Sequence, residues 1–280
     1  MPSLAALHPQ VVHFVVALIL VGVALRWASL AWRMSWLTPA ATTLVALGTL
    51  ASLVAVRSGT DAHGPVEAVP GARAAVMAHE TWGERARNVF LLLLAAEAVA
   101  AALASRQRPQ ARNAAIAAAA VGVLAVVVLY RTADLGGQLV YAYGGGVGIR
   151  SGDPEDVNRV FIAGAHHQAA QDRASGRPLD AAALSDLVAA RFPDDLEVQL
   201  GRIESTLVDR GDPQTALNRL NGLSVPQDDA RSRIRAGMLR ARALVAMNDR
   251  SAARQVLETL RTEFPANQRI QEQLAEVSRP

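Results

Sequence analysis

The sequence predicts an all-α protein, in which a bundle of four transmembrane helices is followed by a water-soluble domain of helical repeats. Four apolar runs, each close to the roughly 20 residues that cross a bilayer, occur before residue 131. All four tryptophans and all three tyrosines lie in the first 143 residues. The rest of the chain alternates helical stretches with short breakers and has the charge density of a soluble surface.

The apolar runs set the boundaries of the predicted spans. The spans cover residues 11–32, 37–56, 88–105 and 114–130. Tryptophan and tyrosine at or just beyond the span ends are typical of the aromatic belts at membrane–water interfaces. We therefore predict a membrane domain in residues 1–150 and a soluble domain in residues 151–280, joined by a glycine-rich hinge.

The placement of arginine predicts the orientation of the bundle. All 28 basic residues are arginine. Arg26 and Arg33 lie at the edges of the short loop between spans one and two. The short loop between spans three and four holds Arg106, Arg108 and Arg112, and neither loop has an acidic residue. Because short cytoplasmic loops are enriched in basic residues, both termini are predicted to lie on the periplasmic side or its equivalent.

Composition excludes several classes of function. The chain has no cysteine, which excludes disulfides, thiolate metal sites, iron–sulfur clusters and covalently attached c-type haem. It has no basic stripe with interleaved aromatic residues, so no nucleic-acid partner is expected. It also lacks a recognisable nucleophile triad, acid–base pair or phosphate-binding loop. The sequence therefore predicts a non-enzymatic protein whose partners are the lipid bilayer and another protein.

Four of the six histidines are predicted to gather at the outer end of the bundle. His8 and His13 stand where span one begins, and His79 precedes span three. His63 lies with Asp61 in a predicted loop after span two, where we expect both side chains to be solvated. His13 and His79 could be the axial ligands of a b-type haem, because imidazole pairs from facing helices hold iron in helix bundles.

The same histidines allow two other interpretations. His8, His13, His63 and His79 could form part of a copper or zinc site. Alternatively they are structural, capping helices and anchoring the bundle at the headgroup layer. For His8, which precedes a proline at a helix start, a local cap is favoured. The sequence leaves these alternatives open, so His8 stays with His13 and His79 among the candidate cofactor ligands.

Three short motifs surround this end of the bundle. They are His-Pro-x-x-Val-His-Phe at residues 8–14, the pair His79 and Glu80, and a Gly-Gly-x-Leu-Val-Tyr segment with Gly136, Gly137 and Tyr141. Because of these motifs, the segment from about residue 5 to residue 149 resembles the bacterial membrane proteins grouped as domain of unknown function 2231. Relatives in that family occur beside Rieske or cytochrome domains. The resemblance therefore implies a multi-pass protein of the bacterial inner membrane in a redox neighbourhood.

One buried charge is predicted inside the membrane. Glu97 lies near the middle of span three, where a carboxylate is costly unless it is paired or protonated. Arg26 of span one could reach it. The sequence is compatible with two interpretations of this contact: a structural ion pair, or a proton-handling site as in a proton-coupled transporter.

The second half of the chain is predicted to form three helical hairpins and a final helix. The hairpins pair residues 155–174 with 179–191, 194–210 with 213–222, and 229–247 with 250–263, and the last helix covers 267–278. The spacing of breakers resembles tetratricopeptide repeats, which bind partners on a concave face. The sequence thus predicts a membrane protein that holds haem or a metal and docks a partner protein. A membrane-tethered adaptor without a cofactor is the alternative.

Overall fold

The computed structural model describes residues 4–32, 34–149 and 153–279. Within these ranges the regular structure is entirely helical, so the predicted all-α fold class is confirmed. The chain divides into two compact units, Met1–Val157 and Asn158–Pro280. The predicted domain boundary at residues 150–151 and the orienting residue Arg33 lie outside the described residues.

The first unit contains four long helices. A 3₁₀ turn at Ala5–Leu7 precedes α1 (His8–Ala31), α2 (Leu37–Glu67), α3 (Arg73–Ser105), α4 (Ala111–Tyr143) and the short α5 (Gly145–Ile149). The four long helices are each long and apolar enough to cross a membrane, which confirms the four predicted spans.

Three of these helices extend beyond the apolar segments that predicted them. α2 continues to Glu67 through the segment that was expected to be a loop, so this expectation was wrong. α3 begins at Arg73, and α4 runs on through Gly136 and Gly137. Hydropathy detects only the part of a helix that matches the hydrocarbon layer, whereas these extra turns pack on one another at the end of the bundle. α4 ends where Gly144 adopts a left-handed conformation (φ 62°), a common helix terminator.

The packing order places α1 and α3 opposite each other. α1 packs along α2 and α4, and α3 also packs along α2 and α4. The core between them is apolar and draws on all four helices, with Ile19, Val45, Phe90 and Ala125 at its centre. α1 and α3 are therefore diagonal, so their side chains can meet on the bundle axis.

The second unit is a row of short helices. They are α6 (Pro154–Ala174), which begins within the first unit, α7 (Pro178–Arg191), α8 (Leu196–Val208), α9 (Pro213–Asn221), α10 (Ala230–Ala246), α11 (Arg250–Glu263) and α12 (Gln268–Val277). From α7 onward each helix packs on the next. The N-termini of α8 to α11 are capped by the side chains of Asp195, Asp212, Asp229 and Asp249, each of which accepts a backbone N–H three residues on. These caps fix the helix starts that the breaker pattern predicted.

Candidate functional site

Two histidines meet on the axis of the membrane bundle at one of its ends. The ring centroids of His8 on α1 and His79 on α3 are 6.3 Å apart, and the ring planes are nearly perpendicular at 86°. Both residues lie near the start of their helices, and these helices face each other diagonally. The two side chains therefore meet in the centre of the bundle and away from the lipid.

Each ring is anchored by its Nδ1 atom to a neighbouring helix. The Nδ1 of His8 lies 3.1 Å from the Ala55 carbonyl oxygen and 3.0 Å from the Ser58 hydroxyl. The Nδ1 of His79 lies 3.1 Å from the Thr132 carbonyl oxygen. A carbonyl oxygen only accepts hydrogen bonds, so Nδ1 carries the proton in both rings. The lone pair of each neutral imidazole is then on Nε2, which has no hydrogen-bond partner among the described residues.

A glycine beneath each ring makes this anchoring possible. A Cβ atom on Gly59 would lie 3.1 Å from Cε1 of His8, and a Cβ on Gly136 would lie 2.9 Å from Cε1 of His79. Gly59 follows Ala55 by four residues, and Gly136 follows Thr132 by four residues. Each ring thus binds a helical carbonyl and rests on the glycine one turn later. The two hairpins, α1–α2 and α3–α4, build the same half-site twice.

The histidine pair borders a cavity of about 460 Å³. All four long helices line this cavity, and most of its lining side chains are apolar, such as Val12, Val16, Phe90 and Leu129. Its volume is within the roughly 300–1,000 Å³ that small-molecule and cofactor sites occupy. The cavity can therefore receive an apolar ligand beside the two imidazoles.

The histidine of α1 that meets His79 is His8, and not His13 as the sequence predicted. Five residues separate the two, which rotates His13 about 140° around α1 relative to His8. His13 is accordingly exposed at the cavity margin, and its Nδ1 lies 2.5 Å from the Pro9 carbonyl oxygen of its own helix. The expected local cap by His8 is absent, because its ring reaches α2 instead. The five-residue spacing alone could have shown that the side chains of His8 and His13 cannot both point toward the bundle axis.

Three other predicted site residues, His63, Asp61 and Tyr141, have contacts or exposure of their own. His63 is helical, with Nε2 at 3.0 Å from Glu67 and Nδ1 at 3.2 Å from Glu80. Asp61, also helical, accepts a hydrogen bond from the Leu4 backbone at 3.0 Å. The expected solvated pair of His63 and Asp61 was therefore wrong. Tyr141 is 91% exposed at the margin of the cavity.

In the part of the chain that the structure describes, the four histidines at this end do not assemble into one metal site. Among the described residues, which include His8, His13, His63 and His79, no three or more histidine or acidic side chains form a group that could hold a metal ion. The copper or zinc interpretation consequently has no ligand set beyond the two paired rings. Among the described residues at this end, the His8–His79 pair is the candidate for coordinating a metal centre.

A second polar cluster lies toward the opposite end of the bundle. The Nε of Arg26 donates to Oε1 of Glu97 at 2.7 Å, and its Nη2 donates to Oε2. The hydroxyl of Thr42 on α2 donates to the same Oε2 at 2.8 Å. Arg26 and Glu97 are both buried, so the contact expected between them is present. Both carboxylate oxygens are occupied by fixed donors.

Fold and site together define a class of protein: a four-span membrane bundle with a half-buried, backbone-anchored histidine pair at one end. The comparison with protein families gives the particular family. Residues 4–148 match the model described as "Predicted membrane protein (DUF2231)", which is more than half of the chain, so the chain belongs to this family. No curated protein and no solved structure matches the chain.

Proposed function

We propose that the membrane unit binds one b-type haem, with His8 and His79 as its two axial ligands, and carries electrons in the membrane. The separation of the two rings is the observation on which this proposal depends. An imidazole nitrogen lies roughly 2.0–2.1 Å from a bound metal, so two rings that share one ion have centroids about 6 Å apart. The observed separation is 6.3 Å.

The hydrogen bonds of both rings support a ligand role. Histidines that bind metals usually donate their other ring N–H to a carbonyl or carboxylate, which fixes the tautomer and the ring orientation. His8 and His79 have this arrangement with the carbonyls of Ala55 and Thr132. Both rings are thus held in the tautomer and the fixed orientation that a metal ligand needs.

A haem fits the available ligands better than a free ion does. A tetrahedral ion such as zinc requires four ligands, but no third ligand accompanies the two rings among the described residues. A porphyrin supplies four nitrogens itself and needs only two from the protein. The apolar lining of the cavity suits its ring, and the absence of cysteine means that attachment would be non-covalent.

The residues at the site favour electron transfer. If His8 and His79 both held the haem, the group would supply one-electron redox chemistry and would have no position left for a substrate. Ala55 and Thr132 hold the two rings in place, and Gly59 and Gly136 leave them the space to lie against α2 and α4.

An absorption spectrum of the full-length protein in detergent tests this proposal. We expect a Soret band and reduced α and β bands of a six-coordinate haem, with one haem per chain. His8→Ala and His79→Ala should each abolish the six-coordinate spectrum, whereas His13→Ala, on the same helix as His8, should retain it. The perpendicular ring planes further predict a strongly anisotropic low-spin ferric EPR signal. A protein that takes up no haem when haem is supplied would leave the cofactor-free adaptor as the function.

The orientation proposed for the bundle places the histidine end outside the cytoplasm. The support is the set Arg106 and Arg108 in the α3–α4 loop and Arg112 in the first turn of α4, at the opposite end. A C-terminal alkaline phosphatase fusion should be active, and one inserted at Gln107 should be inactive. The reverse pattern would place the site on the cytoplasmic face.

We propose a second function for the soluble unit. We infer that it binds an extended segment of a partner protein, in the manner of tetratricopeptide repeats. The supporting observation is a groove of about 730 Å³ lined by α6, α7, α8 and α10. A photo-crosslinking residue at Val198, in the groove, should capture one defined partner from native membranes. The same residue at Leu187, exposed outside the groove, should capture none. Equal capture at both positions would contradict this function.

A further inference from the structure

The buried cluster of Arg26, Glu97 and Thr42 has no role in the function proposed so far. We propose that the Arg26–Glu97 ion pair fixes the register of α1 against α3 and thereby positions His8 and His79 for their ligand. The inference rests on the proposed haem site, and its test separates the two.

The spacing of the two pairs along their helices is identical. Arg26 follows His8 by 18 residues, and Glu97 follows His79 by 18 residues. Eighteen residues make five complete turns of an α-helix, or about 27 Å, and return to the same face. Since α1 and α3 are both unbroken over this length, each directs its histidine and its charged residue toward the bundle axis. When Arg26 and Glu97 are at the same level along the two helices, His8 and His79 are therefore also at the same level.

The ion pair is the element of this interface that can distinguish one register from another. In the described part of the membrane unit, Arg26 and Glu97 are the buried charged side chains, with 2% and 0% of their surface exposed. Their contact is bidentate, and Thr42 of α2 adds a third hydrogen bond. Between the two pairs the interface is apolar, with residues such as Ile19 and Phe90.

Sliding α1 along α3 affects these two kinds of contact differently. A shift of one turn, about 5.4 Å, exchanges one apolar neighbour for another but separates the guanidinium from the carboxylate. Both charges would then be unpaired in an apolar interior, which is strongly unfavourable. Buried polar pairs are known to specify register in helical assemblies in this way. Because fixed donors occupy both oxygens of Glu97, the cluster also favours a permanent ion pair over proton transfer.

A distance measurement on the full-length protein tests the register directly. The chain has no cysteine, so Phe14→Cys and Met77→Cys, both exposed on α1 and α3, can be labelled specifically with nitroxides. We expect a narrow distance distribution between the labels in the parent. Replacing both charges in Arg26→Leu with Glu97→Leu leaves no unpaired charge, so the bundle should still fold. Its distribution should broaden or shift by roughly 1.5–5.4 Å, the rise of one residue to one turn.

The matched control removes an ion pair that lies within one helix. Arg131→Leu with Asp134→Leu eliminates an exposed pair on α4, 2.8 Å apart, which cannot set register between helices. This control should keep the parent distribution. The ferric EPR signal, which depends on the angle between the imidazole planes, should change in the Arg26/Glu97 double variant and remain unchanged in the control.

The outcomes separate the register role from haem binding. A folded double variant with the parent distance distribution would overturn the register role, whether or not haem is bound. If the distribution changes but the parent binds no haem, the register role stands and the haem proposal fails. Should the double variant not fold, Arg26→Lys retains the charge but loses the bidentate geometry. It should then broaden the distribution, and an unchanged distribution would again overturn the inference.

Discussion

The membrane unit and the soluble unit use charged residues in opposite ways. In the described part of the membrane unit one buried ion pair, Arg26 with Glu97, lies in an interior without other buried charges. In the soluble unit charges form many partly exposed contacts, for example Arg235 with Glu197 and Glu204. An exposed ion pair contributes little to the free energy of unfolding and can be replaced. Removing one partner of a buried pair, in contrast, leaves the other charge buried and unpaired. Loss of a single charge should therefore matter far more in the first unit.

The largest effect is expected from Glu97→Leu. The substitution leaves Arg26 buried without its partner, which costs on the order of 3–5 kcal/mol of unfolding free energy. The measurement is reversible unfolding by sodium dodecyl sulfate in mixed micelles. Glu84→Leu, an exposed carboxylate on the same helix, is the control and should change the unfolding free energy by no more than about 1 kcal/mol. Similar effects of the two substitutions would contradict the contrast between buried and exposed charges.

A smaller effect is expected where a glycine accommodates a histidine ring. In Gly136→Val the new Cβ would lie 2.9 Å from Cε1 of His79, so ring or helix must move. Overpacking of this kind destabilises by roughly 1–3 kcal/mol. The control is Gly137→Val, since the Cβ of the adjacent residue would meet only the exposed Tyr141 ring, at 3.8 Å. Thermal unfolding in detergent should distinguish the two, and Gly136→Val should also lose six-coordinate haem.

The part of the membrane unit that composition encodes was predicted well. The four spans follow from apolar runs, and the Arg26–Glu97 contact follows from the need of a mid-bilayer carboxylate for a partner. The sequence paired His13 with His79, whereas the ring that meets His79 is that of His8, because helical rotation directs His13 outward. The roles of Gly59 and Gly136 depend on a close approach between helices, which one sequence does not reveal.

Helix ends were the other source of error, and they differ between the units. In the soluble unit an aspartate cap marks each start from α8 to α11, so the sequence located these helices closely. In the membrane unit α2 has no such side-chain cap, and it extends past the apolar run to Glu67. Polar turns that pack against other helices are invisible to a hydropathy criterion.

Among its described residues the soluble unit also has two buried carboxylates, Asp172 and Asp209, and Asp209 sharpens the comparison. Burial tends to raise the pKa of Asp209, but hydrogen bonds from Arg173 and Ser205, together with the positive charge of Arg173, lower it below its ordinary value. A lowered folded-state pKa means that the stabilisation is complete above the ordinary pKa, near 3.9, and is lost as the pH falls through the folded value. The cluster links α6 to the end of α8, since both guanidinium bonds to Asp209 are 2.7 Å long.

Asp209→Asn is therefore expected to lower the stability of this unit at neutral pH by about 2 kcal/mol, the value of hydrogen bonds to a charged group. Circular dichroism melts from pH 7 down to pH 3 provide the measurement. The difference between parent and variant should shrink below about pH 4, because the unfolded parent chain binds a proton at Asp209 there before the folded chain does. A difference that stays constant with pH would show that shape, and not charge, is responsible. Asp180→Asn, at an exposed carboxylate, is the control.

The smallest effect on stability is expected at the helix caps, because each cap contributes one local hydrogen bond and the stabilisation is shared among many caps. The side chain of Asp249 accepts the Ala252 backbone N–H at 3.0 Å, and its removal in Asp249→Ala should cost about 1 kcal/mol. Asp249→Asn retains an acceptor oxygen and should restore most of this loss, so the pair of variants isolates the hydrogen bond. Thermal melts of the full chain followed by hydrogen exchange at the start of α11 would localise the change. A loss at Asp249→Ala as large as that at Glu97→Leu would mean that the soluble unit, too, depends on single irreplaceable contacts.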